Sequence, residues 1–471
     1  MQSSRSATKS SRLRHSGDAL AHSLSATAWR DALEMRSADP TVAVALRVGL
    51  ATLITLVGGG LLGYGEVAGF AALGALCSAF ARYEPYPRLA AKVICVGLGL
   101  VAYTAFGAAL GALGLSMWLQ IALLSVAAGM SYLLLTVFEI TGPGPVILIF
   151  AAAGAAGFAD DADDVGLVTI AAVIGALVGW AIALLPALYH PHAPARIAVA
   201  RALAAVSALE TGGETALPAA HAAIARAREV IALGTTRRMD SHTHELLALV
   251  DAAESVVHSG SHDTHRARLD DFARLEGELR KVRRDIAIPR VDATGAPVVD
   301  RPENFVRTGM RRLTGRATTI GVGRITLASL LAGWFAEAAG LQHPLWATMG
   351  AMAALQGANY RHTVQRAIQR LLGNVGGALI AAVLLVLDLG YWPLVLAIVL
   401  FQTVTEMVVT RNYAFASVFV TTMALLLTGL GAKLGPDIAI SRVADTLIGV
   451  VIGVIVAALT IAHGDRHHLA R

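Results

Sequence analysis

The fold this sequence predicts is an all-α integral membrane protein, with two parallel six-helix transmembrane repeats and a cytoplasmic helical domain between them. Three observations predict it. Of the 471 residues, 55% are hydrophobic and only 15% charged, with a mean hydropathy of +0.61; soluble domains carry about 25% charged residues. The apolar residues gather into twelve runs, each near the roughly 20 residues that cross a bilayer or somewhat shorter. Landmarks also recur between the halves: Arg88 and Lys92 match Arg366 and Arg370 at an offset of 278, Arg47 matches Arg324 at 277, and Trp118 matches Trp392 at 274. An even number of spans in each half makes the repeats parallel.

Residues 1–41 are polar and rich in Ser and Arg. They lack the short apolar core of a signal peptide and read as a loose cytoplasmic arm. Apolar runs at 42–60, 65–81, 89–112, 117–138, 144–158 and 166–187 form the first repeat, within 42–188. The polar stretch 189–316 reads as a cytoplasmic helical domain, with apolar residues at helical spacing over 195–210, 218–233, 244–257 and 265–286. Its Pro- and Gly-bearing residues 290–303 read as a linker. Residues 304–316 mix Phe305, Met310 and Leu313 with four arginines, a pattern suited to an anionic lipid surface. Runs at 319–339, 344–358, 365–387, 392–410, 412–429 and 443–463 form the second repeat, within 317–463, and 464–471 is a tail.

Charge sets the orientation. Basic residues gather in the N-terminal tail, the turn between the second and third spans, its counterpart near Arg361, and the middle segment. The opposite loops carry Glu66, Asp160, Asp161, Asp163, Asp164 and Asp388, with Lys433 and Arg442 as their bases. The positive-inside rule puts the basic side and both termini in the cytoplasm. The net charge of +5 and the pI near 9.4 therefore concern the membrane, not nucleic acid.

Enzyme chemistry has no motif here. The chain holds no Gly-Lys-Ser/Thr phosphate loop, no Gly-x-Ser-x-Gly elbow and no paired-His zinc helix. His242, His244 and their neighbours have no cysteine or fixed carboxylate beside them and read as solvated surface. Cys77 and Cys95 sit in apolar runs, which suggests no disulfide framework. No cofactor or metal is expected.

Intramembrane charge is costly and marks candidate sites. Arg47 and Arg324 lie inside the first and seventh spans, where they either snorkel or line a path. An Arg fork takes a carboxylate bidentately. Arg366 and Arg370, like Arg88 and Lys92, lie one turn apart on a helix face, as topology signals or as a ring of charge at the cytoplasmic mouth. Glu406 either pairs with Arg411 as a structural lock or exchanges that partner for a proton, with Asn412 and Tyr413 completing the turn.

The pattern HPLWA…LQ…YRHTVQRAIQRLLGNVGGAL, within 341–377, resembles the membrane repeat of the fusaric acid resistance, or aromatic acid exporter, family. FQTVTEMVVTRNYAFASVFVTTMALLL, at 401–427, is a second match, where that family also carries a Glu followed by Arg-Asn-Tyr. The resemblance implies a bacterial inner-membrane exporter. Its cargo is then a small, aromatic-carboxylate type of anion, with Tyr360 among the substrate-side residues beside Arg366 and Arg370. The turn Tyr83-Glu84-Pro85 distantly resembles the Trp-Glu-Pro turn of plant aluminium-activated malate transporters, which leaves a passive anion channel open. A scaffold that recruits a partner through the middle segment is a third alternative. Expected partners are the organic anion and the lipid bilayer, with a periplasmic adaptor subunit or a second copy of the chain left open.

Overall fold

The computed structural model describes residues 2–35, 41–209, 216–234, 241–259, 266–281, 304–313, 315–357, 359–431, 437–462, 464–467 and 469. The linker expected at 290–303 lies outside them. In chain order the helices are α1 (Gln2–Ser23), α2 (Ala26–Leu33), α3 (Val42–Leu61), α4 (Ala68–Ala75), α5 (Tyr86–Ala112), α6 (Met117–Val137), α7 (Val146–Ala156), α8 (Ala162–Leu184), α9 (Pro186–Tyr189) and α10 (Ala193–Ser207). They continue as α11 (Leu217–Gly234), α12 (Ser241–Ser259), α13 (Arg266–Leu279), α14 (Phe305–Arg312), α15 (Arg316–Ala338), α16 (Pro344–Ala354), α17 (Tyr360–Val386), α18 (Tyr391–Val408), α19 (Tyr413–Gly431) and α20 (Asp437–Leu459). No strand occurs among the described residues.

Nine of these helices are long and apolar enough to cross a membrane, so the chain is a multi-pass membrane protein. Three of the twelve expected runs form helices shorter than a full span. The runs at 65–81, 144–158 and 344–358 form only α4 with a 3-10 turn (Leu76–Ala79), α7 and α16. At 1.5 Å per residue an eleven-residue helix covers about 16 Å, roughly half the hydrocarbon thickness. Such helices survive at depth only inside protein, and every residue of α4 and α16 is buried.

Glycine pairs on longer helices explain how. A Cβ on Gly175 or Gly179 of α8 would lie 1.8 Å from the Ala71 carbonyl oxygen or 2.5 Å from that of Ala75, both in α4. Gly107 and Gly111 of α5 meet the Ala152 and Ala156 carbonyl oxygens of α7 at 1.9 and 2.4 Å in the same sense. Gly449 of α20 meets that of Ala347 in α16 at 2.3 Å. Each small-xxx-small face thus seats one half-length helix, backbone against backbone.

The chain divides into two compact units, one of Met1–Phe80, Val93–Ile182 and Gly309–Arg471, the other of Ala81–Lys92 and Ala183–Thr308. In the first, α3 packs on α18 and α6 on α15, so the first long helix of each half meets the fourth element of the other. Tyr391 Oη donates to the Leu56 carbonyl at 2.6 Å, and Trp334 Nε1 to that of Trp118 at 3.1 Å. Asp161, in the acidic loop, caps α8 by accepting the Asp163 and Asp164 amides at 2.9 Å each. The N-terminal arm is not loose: α1 packs on α20 and α2 on α17.

The second unit has its own core, built from Leu203, Ile231, Leu246, Phe272 and neighbours on α10 to α13. It also holds residues 81–92, with Arg88 and Lys92, expected as topology signals or as a ring of charge at the cytoplasmic mouth. Lys92 Nζ donates to Glu84 at 2.7 Å, Arg226 to Glu84 at 2.8 Å, and Arg88 to Glu229 at 2.6 Å. Burial works to raise the Glu229 carboxyl pKa, but hydrogen bonds from Arg88 and Arg226 outweigh it and hold it below the ordinary range. Arg88 and Lys92 are therefore spent on carboxylates within this unit, where they bind its helices to the turn.

Candidate functional site

Two cavities lie in the first unit, on either side of one tyrosine. Their polar walls come from α17, which the sequence makes basic on one face: Arg366 and Arg370 are one turn apart. The outer cavity, about 270 Å³, is lined by Arg366, Arg411, Asn412 and Tyr413 among others. The inner cavity, about 60 Å³, has Arg370, Arg442, Gln402 and Glu406 on its polar side and Phe150, Ile147 and Met349 on its apolar side. Asn412 fixes the turn between the two by accepting the Ala414 amide at 2.7 Å, which caps α19.

Tyr413, the first residue of α19, stands between the arginines. The Arg366 guanidinium lies 4.3 Å over its ring, and Arg370 Nη1 donates to its hydroxyl at 3.5 Å. Arg366 is further fixed by the Gln356 side chain at 3.1 Å. The result is a ladder: Arg366 in the outer cavity, Tyr413 as its rung, Arg370 in the inner one.

Beyond Arg370 comes a cation that sequence reasoning missed. Arg442 was expected in an outside loop; it lies in α20 and is 3% exposed. Its guanidinium sits 4.6 Å over the Trp346 ring, which stacks on His343 at 4.4 Å. Trp346 lies on a helix that is buried throughout. His343 Nδ1 pairs with Ser441 Oγ at 3.0 Å, and Ser441 donates to Asp445 at 3.2 Å. The signal that could have found Arg442 was its place three residues before Asp445 at the head of an apolar run, on one face of one helix.

The two arginines that line this cavity carry buried nitrogens without acceptors. Nε and Nη1 of Arg442 and Nε of Arg370 have no hydrogen-bond partner within the described structure. A buried donor short of an acceptor is expensive, and a guanidinium in low dielectric gains strongly from any oxygen anion that reaches it.

The other candidates fall into place around these cavities. Glu406 is buried and accepts from Gln402 Nε2 at 3.2 Å, on the inner cavity's wall. Arg411 is exposed and lines the outer cavity. Glu406 lies within α18 and Arg411 in the turn after it, so the two candidates stand on the walls of different cavities. Arg47 and Arg324, half-buried in α3 and α15, line neither cavity. Tyr360 lines neither as well; it is buried, and its backbone N–H donates to Asp465 at 2.8 Å. No cluster of three or more metal-ligating side chains occurs among the described residues.

Comparison with known proteins agrees with the motifs. Residues 331–456, which hold most of both cavities' polar walls, match the family described as fusaric acid resistance protein-like. An uncharacterized membrane protein of Bacillus subtilis (strain 168), YvaC, is 23% identical over 457 residues, covering 87% of this chain and 71% of that protein. No solved structure matches. The helices that carry Arg370, Glu406 and Arg442 thus lie within the stretch that is similar to fusaric acid resistance protein-like proteins.

Proposed function

We propose that the chain is a secondary transporter that exports small organic anions, aromatic carboxylates foremost, across a bacterial inner membrane. The observation that carries this reading is the arginine ladder: Arg366, Tyr413, Arg370 and then Arg442, with Arg370 and Arg442, which keep buried donors without acceptors, lining a cavity shared with Phe150 and Met349. A carboxylate suits the forks and an aromatic ring suits the wall. Glu406 stands on the same cavity wall, where its carboxyl group and an arriving carboxylate would share the field of the two arginines. The likeness to fusaric acid resistance proteins supports export as the direction. The reciprocal packing of α3 on α18 and α6 on α15 supports two parallel six-element halves. The basic loops support a cytoplasmic site for both termini and for the segment 189–316.

Equilibrium binding of radiolabelled benzoate to the purified protein tests the reading. Replacing a guanidinium that holds a buried carboxylate costs about 1.5–3 kcal/mol. Arg442→Gln should therefore weaken binding by roughly ten- to a hundredfold, and Arg442→Lys by less, since the charge stays. If Arg442→Gln and Arg370→Gln both bind benzoate as the unaltered chain does, the ladder is not the anion site. Orientation is checked separately by cysteines placed at Asp161 and Ser255, which should label from opposite sides of intact cells.

A further inference from the structure

One wall of the outer cavity ends in something that behaves as an anion: the C-terminal end of the chain's own second helix, with Glu34 on the lining. α2 is capped at its start by Ser25 Oγ, which accepts the Ala28 amide at 3.2 Å. Its last carbonyls, which a helix leaves without partners, are taken by side chains of α17 and of the turn before α19. Gln365 Nε2 donates to the Asp31 carbonyl at 2.7 Å and Gln369 Nε2 to that of Ala32 at 2.8 Å. Asn412 Nδ2 donates to the carbonyls of Ala32 and Glu34 at 3.1 and 3.0 Å. Arg361 holds the Asp31 carboxylate at 2.6 Å. Glu34 lines the cavity together with Arg366 and Arg411.

A helix C-terminus carries partial negative charge, and this one adds two carboxylates. What it presents to Arg361, Gln365, Gln369 and Asn412 is what an organic anion would present. The eight-residue helix is too short to persist alone in water, so leaving its seat and unfolding are one event.

We propose that the segment 26–34 is an internal plug, which competes with the incoming anion for the outer cavity's donors and must leave before the anion reaches the Arg366–Tyr413–Arg370 ladder. The proposal rests on the anion-transport reading for what displaces the plug, but not for whether the plug moves. Docked, it closes the mouth; displaced by a rising anion concentration, it opens it. Export then starts only above a threshold of cargo.

Two measurements test it on the full-length protein with Cys77 and Cys95 replaced by alanine. In the first, Gln369→Cys reports access, through its rate of modification by 2-sulfonatoethyl methanethiosulfonate, a small anionic reagent. Asp31→Lys turns the pair with Arg361 into a repulsion and should speed modification at least about tenfold, the factor that 1.4 kcal/mol gives; Asp31→Ala should act in the same direction more weakly. Equal rates in the parent and in both Asp31 variants overturn the plug. In the second, Ala32→Cys and Gln369→Cys are tethered by a short bis-methanethiosulfonate. The tether should suppress benzoate binding, and a reductant should restore it; a tethered protein that binds benzoate normally overturns the competition. If modification speeds up as stated while no variant binds benzoate at all, the plug stands and the choice of cargo falls.

Discussion

Gly175→Ala is expected to leave little folded protein. The added methyl carbon would lie 1.8 Å from the Ala71 carbonyl oxygen and 2.6 Å from its carbon, both backbone atoms that no rotamer change can move. Relief needs α4 and α8 to separate by more than an ångström. That opens a void along a fully buried helix and forfeits its close contacts. Overpacking by one methyl in an adaptable core costs roughly 1–3 kcal/mol; here the collision is with backbone, so the upper end is the floor. Gly166→Ala is the control, on the same helix with open space where its Cβ would sit. It removes a glycine from a helix interior and should be neutral or slightly stabilising. Thermal unfolding followed by size-exclusion chromatography separates the two. A Gly175→Ala protein that melts alongside Gly166→Ala would show that α4 is not seated as described.

The second large effect concerns the helical unit. Glu84 is 7% exposed and accepts from both Lys92 and Arg226, and Lys92 is 3% exposed. Glu84→Ala takes this carboxylate away from the buried Lys92 ammonium, a loss of about 3–5 kcal/mol for a truly buried pair. Adding Lys92→Leu removes the stranded charge and should recover much of the loss. If the double variant is no more stable than the single one, the damage is packing rather than charge. Hydrogen exchange of α11 gives the local readout. The network also sets an acid limit. Because the folded pKa of Glu229 is depressed, its contribution is present above the ordinary carboxylate range and is lost as pH falls through its folded value. Glu229→Gln should flatten that acid loss.

How far these features could be read from the sequence differs from element to element. Helical, membrane-embedded character was plain in composition and run length, and the glycine pairs at 107/111, 175/179 and 449/453 announced close helix contacts. What they contact was not legible, because a half-length buried helix and a full span share the same apolar composition and differ only in which neighbours enclose them. Arg366, Arg370 and Tyr413 were found through helical spacing and motif, and the structure brings them together. Arg88 and Lys92 show the limit of repeat logic. They occupy the positions of Arg366 and Arg370, yet Glu84 and Glu229 neutralise them, and Glu229 lies 141 residues from Arg88. Arg442 was missed for a related reason: a charge at the edge of an apolar run reads as a loop until a tryptophan from another helix is known to cover it.

The reciprocal packing of the two halves bears on how the protein is made. Gly49 of α3 lies against Thr403 of α18, where an added Cβ would be 2.2 Å from Thr403 Oγ1, and Gly129 of α6 stands as close to Thr326 of α15. Yet roughly 330 residues of chain separate the end of α3 from the start of α18, which at about 5–20 residues per second is of the order of tens of seconds of translation. Through that interval α3 waits in the bilayer with its glycine-notched face against lipid, a provisional surface that any other small-residue helix could borrow. Insertion of this chain is thus a race between its own second half and every neighbouring helix.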